Sequence, residues 1–138
     1  MPIRVARRIE IERAIVERLV SDALFFHSYT VSPSDGEALI VERSRDIGPI
    51  MAQLHCHPEE SLTFHDADGH RVGAVSLVYG NDGYGVLADH TVNDQMAALV
   101  AGAGRLAESL KAEAHPHARR DASAATNAQA RKPARRLR

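Results

Sequence analysis

Three Asp-Gly pairs punctuate the chain, at Asp35-Gly36, Asp68-Gly69 and Asp82-Gly83, and each divides runs with strand character. Glycine accepts positive φ and aspartate hydrogen-bonds its own backbone, so such a pair between strand-forming runs reverses the chain. Pro33-Ser34-Asp35-Gly36 turns Ser28–Ser32 onto Glu37–Glu42, where Leu39, Ile40 and Val41 supply strand propensity. Asp66-Ala67-Asp68-Gly69 joins Ser61–His65 to His70–Tyr79, and Gly80-Asn81-Asp82-Gly83 leads into a strand over 83–90. A two-stranded hairpin and a three-stranded meander follow. The middle strand, Val72 to Tyr79, is apolar on both faces, which predicts a central position partly covered twice.

Helical periodicity surrounds these strands. Val5, Ile9, Val16, Leu19, Val20 and Ala23 recur at helical spacing over Ile3–Phe26, and Ile11, Ile15 and Phe26 widen the stripe. Arg8–Glu12, Arg13–Glu17 and Arg18–Asp22 lie four apart with the cation first, the weaker order, so this helix depends on burial. An arc that broad can also serve a homodimer interface. Ile47, Ile50, Met51 and Leu54 mark a short helix that Asp46 can cap, Pro49 suits in its first turn, and His57-Pro58 ends. The last helix, about Asp94–Lys111, carries Met96, Leu99, Val100, Ala103, Leu106, Ala107 and Leu110 on one side, with Thr91 or Asn93 as cap. Gly102 and Gly104 interrupt it, and close approach to a neighbour is the physical reason to keep them. The order α-β-β-α-β-β-β-α defines an α+β fold, one antiparallel sheet packed by N-terminal, middle and C-terminal helices.

Charge divides the chain into a body, 1–113, and a tail, 114–138. Over 27–113 thirteen acids face five bases, an excess of −8, whereas 114–138 holds seven bases and Asp121, an excess of +6. From His115 to Arg138 the one large aliphatic residue is Leu137, too little apolar surface to offset the entropy of ordering, so disorder is expected there. Arg131, Lys132, Arg135, Arg136 and Arg138 form a cluster able to lie along nucleic-acid phosphates without sequence preference. The acidic body repels nucleic acid and attracts a basic protein surface, including a host factor's nucleic-acid-binding groove if the chain serves a mobile element. Tyr79, Asp82, Tyr84 and Asp89 on the long hairpin are the expected contact residues, because tyrosine is enriched at interfaces. No apolar run approaches the ~20 residues that span a bilayer, so no membrane partner is expected. With Cys56 as the one cysteine and no signal-peptide pattern, the expected compartment is a reducing cytoplasm.

His55-Cys56-His57-Pro58 is the segment with the most chemistry in it. On an extended strand residues 55 and 57 share a face, the placement that lets two imidazoles reach one metal. The order His55-x-His57-x(10)-Asp68 resembles the zinc core of the JAMM metalloproteases, also called the MPN or JAB family. That resemblance implies zinc held by His55, His57 and Asp68, with Glu37 or Glu42 as the base for a metal-bound water. The chain departs from the family in having His65 where a serine belongs and in setting Asp68 in a hairpin turn. The stretch from Asp35-Gly36 through Gly80-Asn81-Asp82-Gly83-Tyr84 to Asp89-His90-Thr91 is similar to small bacterial and phage-type proteins with a central YGNDG hairpin, which implies no activity. The sequence therefore reads as a binding or accessory protein with no catalytic residue or cofactor assigned. Zinc-dependent hydrolysis and nucleic-acid binding through the tail are the alternatives.

Overall fold

A computed structural model describes residues 4–35 and 43–114. The expected strand Glu37–Glu42 and the basic cluster of the tail lie outside the described residues. The chain divides into two units, Met1–Ala107 and Glu108–Arg138, and residues 108–114 of the second are the last turns of a helix.

The first helix, α1, spans Val5–Ser21 and continues into a π-helical turn, Asp22–Phe26. Strand β1 (Thr30–Ser34), helix α2 (Ile47–Ala52), strands β2 (Glu59–His65), β3 (Arg71–Val78) and β4 (Leu87–His90), and helix α3 (Asp94–Ala114) follow. The strands form one antiparallel sheet in the order β1-β2-β3-β4, so the fold is α+β. Thr30 pairs with His65 and Ser34 with Ser61, while Glu59 pairs with Val78 across the Asp68-Gly69 turn. At Ser44 the chain meets β1 again, exchanging two backbone hydrogen bonds with Val31 of 2.9 and 2.8 Å.

α1 has neither a side-chain N-cap bond nor an acid in its first turn, and its stripe from Ile11 to Val20 is buried. Ile11, Ile15, Val16, Leu19 and Val20 of α1 are buried, as are Val31, Leu62, Phe64, Val75 and Leu77 of the sheet and Ile50 and Leu54. Each such side chain contributes ~1.5–3 kcal/mol when fully removed from water. Two members of the expected stripe are outside it: Val5 is 63% and Phe26 81% exposed, and Phe25 beside it is 70% exposed. The π turn explains Phe26. His27 N–H donates to Asp22 O (3.1 Å) and Tyr29 N–H to Ala23 O (2.8 Å), and the wider turn rotates the helix end away from the 3.6-residue phase.

Other boundaries moved for local reasons. Asp46 sits at the N-cap of α2 without a side-chain cap bond, and α2 ends at Ala52, well before His57-Pro58. β4 begins at Leu87 rather than at 83, because Gly83 (φ +96°) is still turning and Asp82 Oδ1 accepts from Tyr84 N–H at 2.9 Å. β3 is central and covered fully on the face of Gly73, Val75 and Leu77 and in part on the other, where Val72 is buried, Ala74 and Val78 are half-buried and Ser76 is exposed. Asn93 caps α3, accepting from Met96 N–H at 2.7 Å, while Thr91 accepts from Ala74 N–H at 3.0 Å. A methyl group on Gly102 would collide with the Arg18–Asp22 pair, whereas Gly104 faces nothing, so only the first glycine serves a close approach.

Candidate functional site

Two carboxylates occupy positions that the folding pattern reserves for apolar side chains. Glu12 lies in the buried stripe of α1 beside Ile11, Ile15 and Val16, and is 0% exposed. Glu60 alternates with Leu62 and Phe64 on the core face of β2 and is 3% exposed. Burying an ion costs several kcal/mol unless its lone pairs are filled, so each must have found partners.

Glu60 finds them in the loop that precedes its own strand. His55 N–H donates to Oε1 at 2.9 Å, and Cys56 and His57 N–H donate to Oε2 at 3.0 and 3.2 Å. Successive backbone N–H groups turned to one concave side form an anion nest, and here the anion is the chain's own carboxylate. The nest holds His55 at φ +65°, a left-handed conformation unusual outside glycine. From β3, Tyr79 O–H adds a 2.7 Å bond to Oε1. Burial first, and then that bond, push the Tyr79 phenol well above its ordinary range.

Glu12 closes the cluster from the helix side. Gly80 N–H donates to its Oε2 at 2.9 Å, His55 Nε2 lies 3.2 Å from Oε1, and Arg8 Nε is 3.5 Å from the same oxygen. With the carboxylate already accepting from Gly80 and facing a guanidinium, His55 Nε2 is the donor in that contact. The imidazole packs on Tyr79, ring centroids 3.9 Å apart and planes 32° from parallel. His55 Nδ1 and Arg8 Nε are both buried without a hydrogen-bond partner among the described residues.

Above this network lies an open cleft of about 410 Å³, inside the ordinary range for small-ligand sites. Arg8, His55, Cys56 and His57 supply its polar wall, and Ile9, Pro58 and the Tyr79 ring supply an apolar flank. Loop, helix and strand end are thus tied together beneath the cleft by two carboxylates.

The residues singled out in sequence are scattered by comparison. His55 and His57 belong to the network, His57 Nδ1 lying 3.5 Å from Glu60 Oε2 and Nε2 3.9 Å from Asp35 Oδ2. Asp68 does not join them. Among the described residues, the one group of three or more whose ligand atoms lie within 4.8 Å of one another is Asp66, Asp68 and His70, so the His55/His57/Asp68 arrangement is not assembled. The segment from 53 to 58 is a turn leaving α2 rather than an extended strand. Of the expected contact residues, Asp82 and Asp89 are exposed, Tyr84 is half-buried, and Tyr79 directs its hydroxyl inward. Among the described residues no helix is long and apolar enough to cross a membrane.

Glu12, Glu60 and Arg8 were missed as site residues. The signal was present: each carboxylate stands at a phase where its neighbours at i+3, i+4 or i+2 are apolar.

Fold and site together define a small α+β protein with a pre-shaped, partly polar cleft between a helix and a strand-entry loop. No family model, curated protein or solved structure matches the chain.

Proposed function

We propose that this is a binding protein that holds a small-molecule ligand in the cleft between α1 and the 55–58 loop. The observation that carries the proposal is the left-handed His55, fixed by a buried carboxylate that accepts from three consecutive backbone N–H groups. Two buried carboxylates are an expensive way to close a surface loop, and an apolar core would hold the fold as well. A strained loop braced from beneath by buried charge is what a preorganised ligand site requires. Among the described residues Cys56 Sγ donates to Leu54 O at 3.8 Å and is paired with no base, which favours binding over nucleophilic chemistry. Partner-protein binding by the acidic stretch rests on charge alone and ranks behind the cleft.

Cys56 is the sole cysteine and lies in the cleft wall, so disulfide capture of fragments reports on this site alone. A fragment library exchanged at equilibrium against 2-mercaptoethanol should yield a few members captured far above the rest, read by intact mass. Capture that simply follows fragment concentration, with no selected members, would overturn the proposal.

A further inference from the structure

The polar groups around the cleft are not evenly shared between its wall and its foundation. Glu12 and Glu60 are turned inward and spent: Glu12 accepts from Gly80 N–H and faces His55 and Arg8, and Glu60 accepts from three backbone N–H groups and a phenol. What remains on the wall is one guanidinium and two imidazoles, with no carboxylate among the described lining residues. The neighbouring cleft, about 180 Å³, has the opposite character, being lined by Asp35, Glu59 and Glu60. A cavity with a guanidinium and no carboxylate among its described lining residues, in a chain whose central stretch carries an excess of acids, is a local reversal of sign. Arg8 Nε lies 3.5 Å from Glu12 Oε1, which anchors the guanidinium at the cleft with its side chain 22% exposed.

Resting on the small-molecule reading above, we infer that the cleft takes a small organic oxyanion, a carboxylate or phosphate ester with an apolar body. Its charged end sits against Arg8 and His57, and its body lies on Ile9, Pro58 and the Tyr79 ring. Arg8 presents a planar fork of N–H donors suited to a carboxylate or phosphate oxygen pair, while its charge also faces Glu12. His57, 47% exposed at the mouth, supplies the second polar contact. A cationic ligand would meet the guanidinium and find the oxygens of Glu12 and Glu60 already accepting.

The test uses the full-length chain and four disulfide fragments that share one phenyl body and end in carboxylate, phosphonate, neutral amide or ammonium. Capture at Cys56 is read at equilibrium by intact mass, in low and high salt. The carboxylate or phosphonate member should be captured about tenfold or more over the amide and the ammonium, as charge-assisted hydrogen bonds imply. Which of those two leads distinguishes a carboxylate ligand from a phosphate ester. Arg8→Gln should reduce the preference to about threefold or less, and His57→Gln, at an exposed position that does not threaten folding, should reduce it partway. Amide or ammonium capture equal to the anions would overturn the inference while leaving a selective cleft in place. An anion preference that survives both substitutions would overturn the assignment to Arg8 and His57. Unselective capture of every member would remove the cleft reading itself.

Discussion

Two reversals in this chain each carry a pair of histidines. Residues 55–58 read His-Cys-His-Pro and residues 65–70 read His-Asp-Ala-Asp-Gly-His. In the second, Asp66 Oδ1 accepts from Asp68 N–H at 3.0 Å and from His70 N–H at 2.9 Å, so its partners come from within four residues. Asp68 and His70 stay exposed, and Gly69 takes the positive φ, +86°. In the first, nearby Glu60 closes the nest, but further contacts arrive from Glu12 on α1, forty-three residues from His55, and from Tyr79 just past β3, and the positive φ falls on His55. One reversal is ordinary Asx-turn chemistry that water could largely replace. The other is tertiary structure written in hydrogen bonds. Polar composition alone does not mark a site; how far its partners travel through the sequence decides whether it is buried and rigid.

The sharpest way to break this comparison is to empty the nest. Glu60→Ala leaves three backbone N–H groups and a buried phenol without their acceptor, and should cost about 3–5 kcal/mol in urea unfolding. Amide signals of residues 55–57 should broaden or multiply as His55 leaves its left-handed conformation. A loss under about 1 kcal/mol would mean that the loop holds its own shape, and the contrast would collapse.

Tyr79→Phe is the next largest. It removes one bond to a buried carboxylate and should cost about 1.5–3 kcal/mol. It also carries a pH signature. The folded state holds the phenolic proton to higher pH than the unfolded chain, whose value is near 10.0. Stability from this group is therefore complete below pH 10 and is lost as pH climbs above it, by about 1.4 kcal/mol per unit. Denaturation between about pH 10 and 11 should show a flatter decline in Tyr79→Phe than in the unaltered chain. Parallel slopes would remove the phenol from the buried network.

Much of the frame was legible in the sequence, because turns and periodic stripes are local signals. Asp68-Gly69 and Asp82-Gly83 reverse the chain where their chemistry says they should, and α1 and α3 follow from spacing of apolar residues. The site was less legible, for a physical reason visible at particular residues. Glu12 reads as the anionic half of an exposed Arg8–Glu12 pair until Ile15 and Val16 are counted as its neighbours in phase. Glu60 reads as a polar strand start, although it alternates with Leu62 and Phe64. The π turn at Asp22–Phe26 is closed by its own backbone bonds, and the left-handed His55 by Glu60 five residues on and Glu12 forty-three residues back, geometries that apolar periodicity does not encode.

On the other side of the comparison, Asp66→Ala should cost about 0.5–1.5 kcal/mol, the worth of ordinary hydrogen bonds formed in water's reach. The effect should stay confined to amide signals of residues 66–70. A cost above about 3 kcal/mol, equal to that of Glu60→Ala, would place both turns in the same class.

The smallest effect belongs to Asp68, the residue that sequence spacing would join to His55 and His57. Its backbone N–H donates to Asp66, while its exposed carboxylate lies near those of Asp66 and the His70 ring, three groups with atoms within 4.8 Å of one another. Mutual repulsion between two aspartates in one turn offsets what each gains from nearby donors, so Asp68→Ala should change stability by no more than about 0.5 kcal/mol. Relief of that repulsion makes a slight gain as acceptable as a slight loss. The informative comparison is with added zinc. If Asp68 acted with His55 and His57, zinc would raise the melting temperature of the unaltered chain, and Asp68→Ala and His57→Gln would each abolish the shift. The structure predicts no such shared loss, because the nitrogens of His55 and His57 face Glu12, Glu60 and Asp35 rather than Asp68. A zinc shift lost equally in both variants would show that the loop and the turn can be drawn together, and that the distinction between them yields to a metal.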